Sequence, residues 1–442
     1  MKKYFPVIIL IVASQFRVFA QPVIPFIKAS SKSVDVRDGA DFMKGHWVIM
    51  PEVKKDIYYA NRCKCTKRVS FYTDIDSISF TVQPNQTCDF AILLNGKDTA
   101  YTQISTKAAP LLELRKANSG NLLAPDTISF EFGKGGKVYL KGSVNNSESL
   151  DLMFDLGSNQ IVISKDGLEK NVNIQFNEKK DNAAFGGSMS VQNSRRNAMR
   201  IGSLIWDSVP VVQIDNADGD GIVGYNAFDG RTIELDYDKK ILVVHHQPVN
   251  IGKEYQGMEL RFRNGLPFIK ADLVNGKRKY TDYFEFDGGS NGSLWLNQAF
   301  AAKHNLYGSL EKLGTTTSRG LGGSIKNQTV LFPQILIGGY ELANVPVHLE
   351  LPSAQAHLQW GIFGMDVLKR FNVIIDFQKD SIYLKPNSLF REPYNRPFDN
   401  LLFIICVVAT ALLLIGFIVY LIRKGRSGRN PEKRQFNPVS DI

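Results

Sequence analysis

Short segments in which apolar and polar residues alternate dominate the chain, and long uninterrupted apolar runs are confined to its two ends. Arg68–Thr73, Ser77–Val82 and Cys88–Leu94 are rich in β-branched and aromatic residues and are separated by Pro84-Asn85 and similar turn residues. This pattern predicts a small antiparallel β domain over 21–115. A helical stretch is expected around 109–117, followed by a loop. From 127 the strand signals recur in two series. Thr127–Phe132, Val138–Val144 and Leu150–Asp155 form one; Met258–Phe262, Phe268–Val274 and Tyr283–Asp287 form the other.

The two series share landmarks in the same order. Each apolar strand runs into Asp-x-Gly-Ser, at 155–158 and 287–290. A Gly-rich element follows, Phe185-Gly186-Gly187-Ser188 in one and Gly320-Leu321-Gly322-Gly323-Ser324 in the other. Then come Ile201–Val211 and Ile337–Val347, in register without a gap. Gly221-Ile-Val-Gly224 and Gly361-Ile-Phe-Gly364 close the series, and Asp236 and Asp376 each fall fifteen positions after the first of those glycines. Such internal order implies two copies of one lobe, 127–248 and 249–388. Asp236 and Asp376 lie mid-strand before charged turns, which suits a structural role.

An Asp held at the end of a buried strand, with Gly behind it, is placed rigidly. If the lobes pack about a pseudo-twofold axis, Asp155 and Asp287 meet. Two carboxyls that close share a proton, so one serves as general base on a water and the other as an acid. Ser158 and Ser290 are positioned to hydrogen-bond the outer carboxylate oxygens.

This constellation resembles the pepsin- and retropepsin-like aspartic proteases, over roughly 127–386. Phe154–Ser158 and Phe286–Ser290 match the family's Asp-containing turn, and Ile222-Val223-Gly224 and Ile362-Phe363-Gly364 its closing apolar-apolar-Gly. The resemblance implies an all-β, bilobal double barrel that hydrolyses peptide bonds without metal or cofactor. It assigns catalysis to Asp155 and Asp287 and support of the pair to Gly157, Ser158, Gly289 and Ser290. The flap tips would be Phe185, Gly186 and Gly187 in one lobe and Gly322 and Gly323 in the other. The family's usual Thr or Ser after each Asp is replaced by Leu156 and Gly288. Two alternatives stay open: a peptide-binding relative without turnover, and a serine hydrolase built on Gly288-Gly-Ser290-Asn-Gly292, with His348 or His357 downstream.

Charge and cysteines add placement. Of the net +10, Lys2, Lys3 and Arg17 contribute +3 and residues 423–442 contribute +4, which leaves +3 for the large middle part and argues against nucleic acid as a partner. Met1–Ala20 has the basic start, apolar run and small-residue end of an export signal. Residues 401–422 carry no charge and precede Arg423, Lys424, Arg426 and Arg429. They predict one transmembrane helix with a cytoplasmic tail at 423–442 and an exported ectodomain, periplasmic or extracellular. In that compartment a disulfide joining Cys88 to Cys63 or Cys65 is expected; a zinc site there would need a fourth ligand, for which His46 is the nearby candidate.

Overall fold

The computed structural model describes residues 24–427 apart from 63–64, 108–109, 117–122, 185–186, 322, 354–357 and 395–398. The expected export signal, Cys63, Phe185, Gly186, Gly322, His357 and the tail beyond 427 lie outside the described residues. The chain divides into two units, 1–109 and 110–442.

The first unit has two four-stranded sheets. One orders Phe26–Ala29, Thr87–Leu94, Asp98–Ser105 and Asp56–Tyr59, and both of its edge strands pair parallel, against the expected antiparallel arrangement; the other orders Asp41–Val48, Ser33–Asp38, Lys67–Tyr72 and Ser77–Val82 and is antiparallel throughout. Alternation explains the burial, since side chains along a strand turn to opposite faces. Val34, Val36, Val69, Phe71, Phe90 and Ile92 face inward and form one core. The cysteine expectation fails in part. Cys88 is a free thiol, while Cys65 is disulfide-bonded.

The second unit departs at its start from the expected helical stretch around 109–117. Leu114–Lys116 is a strand, not part of a helix, and lies antiparallel to Leu204–Gln213 with Leu114 opposite Trp206. Leu, Glu and Lys favour a helix locally, but partnership with a strand ninety residues away overrides so short a preference. Beyond it, two lobes carry the same set of pairings. In the first, Leu150–Asp155 runs parallel to Gly221–Gly224, whose other edge pairs antiparallel with Ile161–Ile163. In the second, Arg278–Phe286 runs parallel to Ile362–Phe363, whose other edge pairs antiparallel with Leu294–Leu296. A long hairpin projects from each: Glu178–Ala184 with Gly187–Ile201, and Glu311–Gly320 with Gly323–Ile337.

A shared sheet joins the lobes. Its order is Asp126–Phe132, Ile241–His245, Thr232–Asp236, Phe371–Asp376, Ser381–Pro386 and Gln256–Arg263, with Ile233 opposite Ile375 where the lobes meet. Asp236 and Asp376 are buried at the ends of the central pair; Asp236 accepts the Lys239 N–H and Asp376 the Gln378 and Lys379 N–H groups of the turns that follow. A single apolar core runs through both lobes, from Phe130, Phe154 and Trp206 to Phe286, Phe332 and Phe363. Trp206 is fully buried and donates to Ala227 O at 3.0 Å; truncating such a residue costs about 3–5 kcal/mol. This is the expected all-β, two-lobed class.

The chain then forms a helix, Asp399–Ser427. Its stretch Ile405–Ile422 is apolar and long enough to cross a membrane, and its side chains are exposed throughout.

Candidate active site

The parallel pairings bring the two Asp turns together. Asp155 closes its strand opposite Gly224 and is 8% exposed, while Asp287 follows its strand and donates its N–H to Phe363 O at 3.1 Å. Within each turn a glycine N–H reaches back to the carboxyl: Gly157 to Asp155 Oδ1 at 2.8 Å, and Gly289 to Asp287 Oδ1 at 2.8 Å. Gly289 also donates to Asp155 Oδ1 at 2.9 Å, across the lobes. The two carboxyls hydrogen-bond each other directly.

Only glycine allows this approach. A Cβ on Gly157 would lie 2.7 Å from Asp287 Cγ, and one on Gly289 would lie 2.5 Å from Asp155 Oδ2. Gly288 also faces the opposite turn, where a Cβ would stand 3.1 Å from Phe154 O and 3.5 Å from Leu156 N. Leu156 points away and is buried in the core. The turns are therefore joined through the Gly289 N–H rather than through hydroxyls.

Ser158 departs from expectation. Its hydroxyl bonds the Gln160 backbone, accepting from N at 3.2 Å, rather than an Asp155 oxygen. Its carbonyl accepts from Tyr225 N at 2.9 Å, and the Ser290 carbonyl accepts from Met365 N at 2.7 Å. Both serines thus pin the closing apolar-apolar-Gly segments to the Asp turns.

Burial raises both aspartates above the usual carboxyl range, because desolvation disfavours charge. For Asp155 the rise is opposed by the Gly157 N–H, by Asp287, by the Gly289 N–H and by the charge of Lys137. Asp287 is pushed well higher, first by burial and then by the charges of Asp155 and Glu285. Two carboxyls buried this close titrate as a pair that shares a proton, with Asp287 the more strongly raised of the two.

Glu285 is the site residue that the sequence pattern did not bring out. It lies two positions before Asp287 on the same strand face, is 5% exposed, and accepts from the Trp360 indole N–H. In Tyr283-Phe284-Glu285-Phe286 a Glu between two phenylalanines reads as the solvent side of a half-buried strand. The signal that could have found it is comparison with Met153 at the matching place in the first series.

Of the flap residues, Gly187 opens the strand Gly187–Ile201, and Gly323 pairs with Gly320 at the end of the second hairpin. Next to that end, Leu321 packs against a first-lobe cluster formed by Met153, Val162, Val191, Val212, Ile214, Ala217 and Ile222. A cavity of about 270 Å³ adjoins the Asp155 turn, lined by Asn159, Gln160, Val191, Asn193, Pro210, Val212 and Asn226. A larger one, about 530 Å³, belongs to the first unit, around Lys54, Lys55, Phe90 and Tyr101, and contains none of the expected site residues.

The serine alternative gains no histidine from His348, which stacks on Trp295 and bonds Thr329 Oγ1 at 3.0 Å. Burial pulls its pKa down to about 4.

No family model and no curated protein matches the chain. Among solved structures it is similar to the aspartic proteinase from Irpex lacteus, at 12% identity over 62% of this chain and 100% of that one, with a TM-score of 0.43. At that distance no residue role transfers. The carboxyl pair stands on its own geometry.

Proposed function

We propose that the protein is an aspartic endopeptidase that hydrolyses peptide bonds in the cleft between its two lobes. The observation that carries this reading is the Asp155–Asp287 pair, hydrogen-bonded together and sharing one backbone N–H. Asp155, the charged partner, takes a proton from the attacking water. Asp287, the protonated partner, donates to the scissile carbonyl oxygen, which becomes the hydroxyl of a tetrahedral diol. Collapse of the diol returns a proton to the leaving amine, and no acyl-enzyme forms. Gly157, Gly289 and the carbonyls of Ser158 and Ser290 hold the turns, while the two hairpins ending near Gly187 and Gly323 cover the substrate.

The lobes extend over 127–248 and 249–388, after an N-terminal domain at 21–115. Residues 1–20 direct export, 401–422 anchor the protein in the membrane as a single-pass type I chain, and 423–442 face the cytoplasm. The positive flank of the apolar helix supports that orientation.

A second reading, a tethered peptide-binding module without turnover, is favoured by Leu156 and Gly288, which leave the pair without hydroxyl bracing, and by the Leu321 contact across the cleft. One experiment separates these readings. Peptidase activity should be lost in Asp155→Asn and in Asp287→Asn and kept in Ser290→Ala. If wild type binds peptides but never cuts them, the binding module is correct; if Ser290→Ala alone abolishes turnover, the carboxyl mechanism is wrong.

A further inference from the structure

Two rows of side chains flank the carboxyl pair, and strand register makes them counterparts. In the first lobe Met153, two residues before Asp155, stands beside Ile222, which stands beside Val162. In the second, Glu285, two residues before Asp287, stands beside Ile362, which stands beside Trp295. Residues i and i+2 of a strand share a face, so each row runs up to its own aspartate. The first row is apolar, and an aliphatic side chain, Leu321, packs against the cluster that contains it. The second sets one carboxyl among Trp295, Ile325, Leu358, Trp360 and Ile362.

Structure alone gives that carboxyl little reason to be there. Methionine fills the matching place in the first lobe without a polar atom, whereas a buried carboxyl needs partners to offset its lost hydration. A carboxylate can accept about four hydrogen bonds, and the Trp360 indole supplies one.

We propose that Glu285 determines specificity on the second lobe's side of the cleft, receiving a Lys or Arg side chain of the peptide, while the Met153 row receives an aliphatic one. This rests on the peptide-cleft reading above and names its substrate class: extended peptides with an aliphatic residue on one side of the bond and a basic residue on the other. A cation there meets Glu285, Asp287 and Asp155 together. It also meets the rings of Trp295 and Trp360, and an indole face attracts a cation by its quadrupole.

Proton linkage gives this assignment a signature. Burial, with the charge of Asp155 adding, lifts Glu285 to about 8, so below that pH it holds a proton when no cation is near. Cation binding expels the proton, and the preference for a basic side chain therefore strengthens as pH rises toward 8. The groups facing Glu285 are Asp287 on its own chain segment and Asp155 from the first lobe. Strand Leu266–Asn275 brings Phe268, opposite Glu285, with the Arg263 guanidinium 5.1 Å from its ring centroid. Strand Ile362–Phe363 brings Ile362. Strand Leu294–Leu296 brings Trp295, backed by His348, which its burial keeps neutral.

The test uses the full chain in detergent, as wild type, Glu285→Gln and Glu285→Met. Cleavage of a randomised peptide library is read by mass spectrometry. In parallel, the binding of two dye-labelled peptides that differ only by Lys against norleucine is read by anisotropy at pH 5 and pH 8. Wild type should favour the basic residue about tenfold or more, equivalent to about 1.4 kcal/mol, and the Lys/norleucine affinity ratio should rise between pH 5 and pH 8. Glu285→Gln should bring the preference within about twofold and flatten its pH dependence. Glu285→Met should turn it toward aliphatic residues. Cleavage without basic preference in wild type, or a preference unchanged in both variants, overturns the assignment and leaves hydrolysis standing. Lys-selective, Glu285-dependent binding with no cleavage at all upholds the assignment and overturns hydrolysis.

Discussion

Gly289 donates its backbone N–H to Asp155 Oδ1, 2.9 Å away in the other lobe, while also serving its own Asp287. A backbone donor has no rotamer to lose, so this link orders the pair without the side-chain entropy that a hydroxyl bridge spends. It also makes the site sensitive to any atom added at 289.

Gly289→Ala should therefore leave the fold recognisable and the catalysis ruined. The new Cβ would need space 2.5 Å from Asp155 Oδ2. Relief of that overlap costs about 1–3 kcal/mol of stability, and moving the carboxyls apart should lower kcat by about 100-fold or more. Thermal melting and peptidase rates on the same preparation check both.

Gly288→Ser should act in the opposite sense. A side chain here points at Phe154 O and the Leu156 N–H of the other turn, close enough to need a shift of a few tenths of an ångström. A hydroxyl there can join the turns and add about 0.5–1.5 kcal/mol. The expected outcome is a higher Tm with undiminished kcat; a lower Tm would show that the opposite turn does not give way.

Glu285→Gln should stabilise the protein, and only above acid pH. The folded-state pKa of Glu285 is raised to about 8. The folded carboxyl stays protonated where the unfolded one has ionised, so stability falls as pH climbs from the unfolded value toward 8. The glutamine variant lacks that loss. Its Tm should exceed that of wild type by several degrees at pH 8 and match it near pH 4, as read by calorimetry.

The alkaline limb of the activity profile belongs to Asp287. Turnover needs its proton, and burial together with the charges of Asp155 and Glu285 holds that proton well above the usual carboxyl range. Activity should persist well past pH 5 and fall only as Asp287 ionises. From about pH 8 upward, where Glu285 is itself ionised, Glu285→Gln removes one repelling charge, so there Asp287 ionises sooner and this limb should move to lower pH. Rate profiles on an uncharged peptide check the direction.

Much of this architecture was legible because it is written in local alternation. Leu150–Asp155 and Val138–Val144 occupy the predicted spans, since an apolar strand ending in Asp-x-Gly leaves the backbone few options. What escaped depends on partners distant in sequence. Leu114–Lys116 is a strand because Trp206 and its neighbours accept it. Cys88 is free although its spacing to Cys65 permits a bridge. Ser158 had a nearer acceptor and donor in the Gln160 backbone than in any carboxylate. Glu285 was hidden for the same reason: its burial comes from Trp360 and from the second lobe's fold, neither visible in four alternating residues.

Leu321 gives the cleft an equilibrium of its own. A peptide that places an aliphatic side chain on the cluster around Met153, Val162 and Ile222 competes with this leucine for it, so such a peptide binds the molecules in which Leu321 has left the cluster. Apparent affinity is then the intrinsic affinity multiplied by that open fraction. Leu321→Ser should tighten capture of peptides with an aliphatic side chain at that position by one common factor, whatever their remaining sequence, because the hairpin competes with substrate and does not read it.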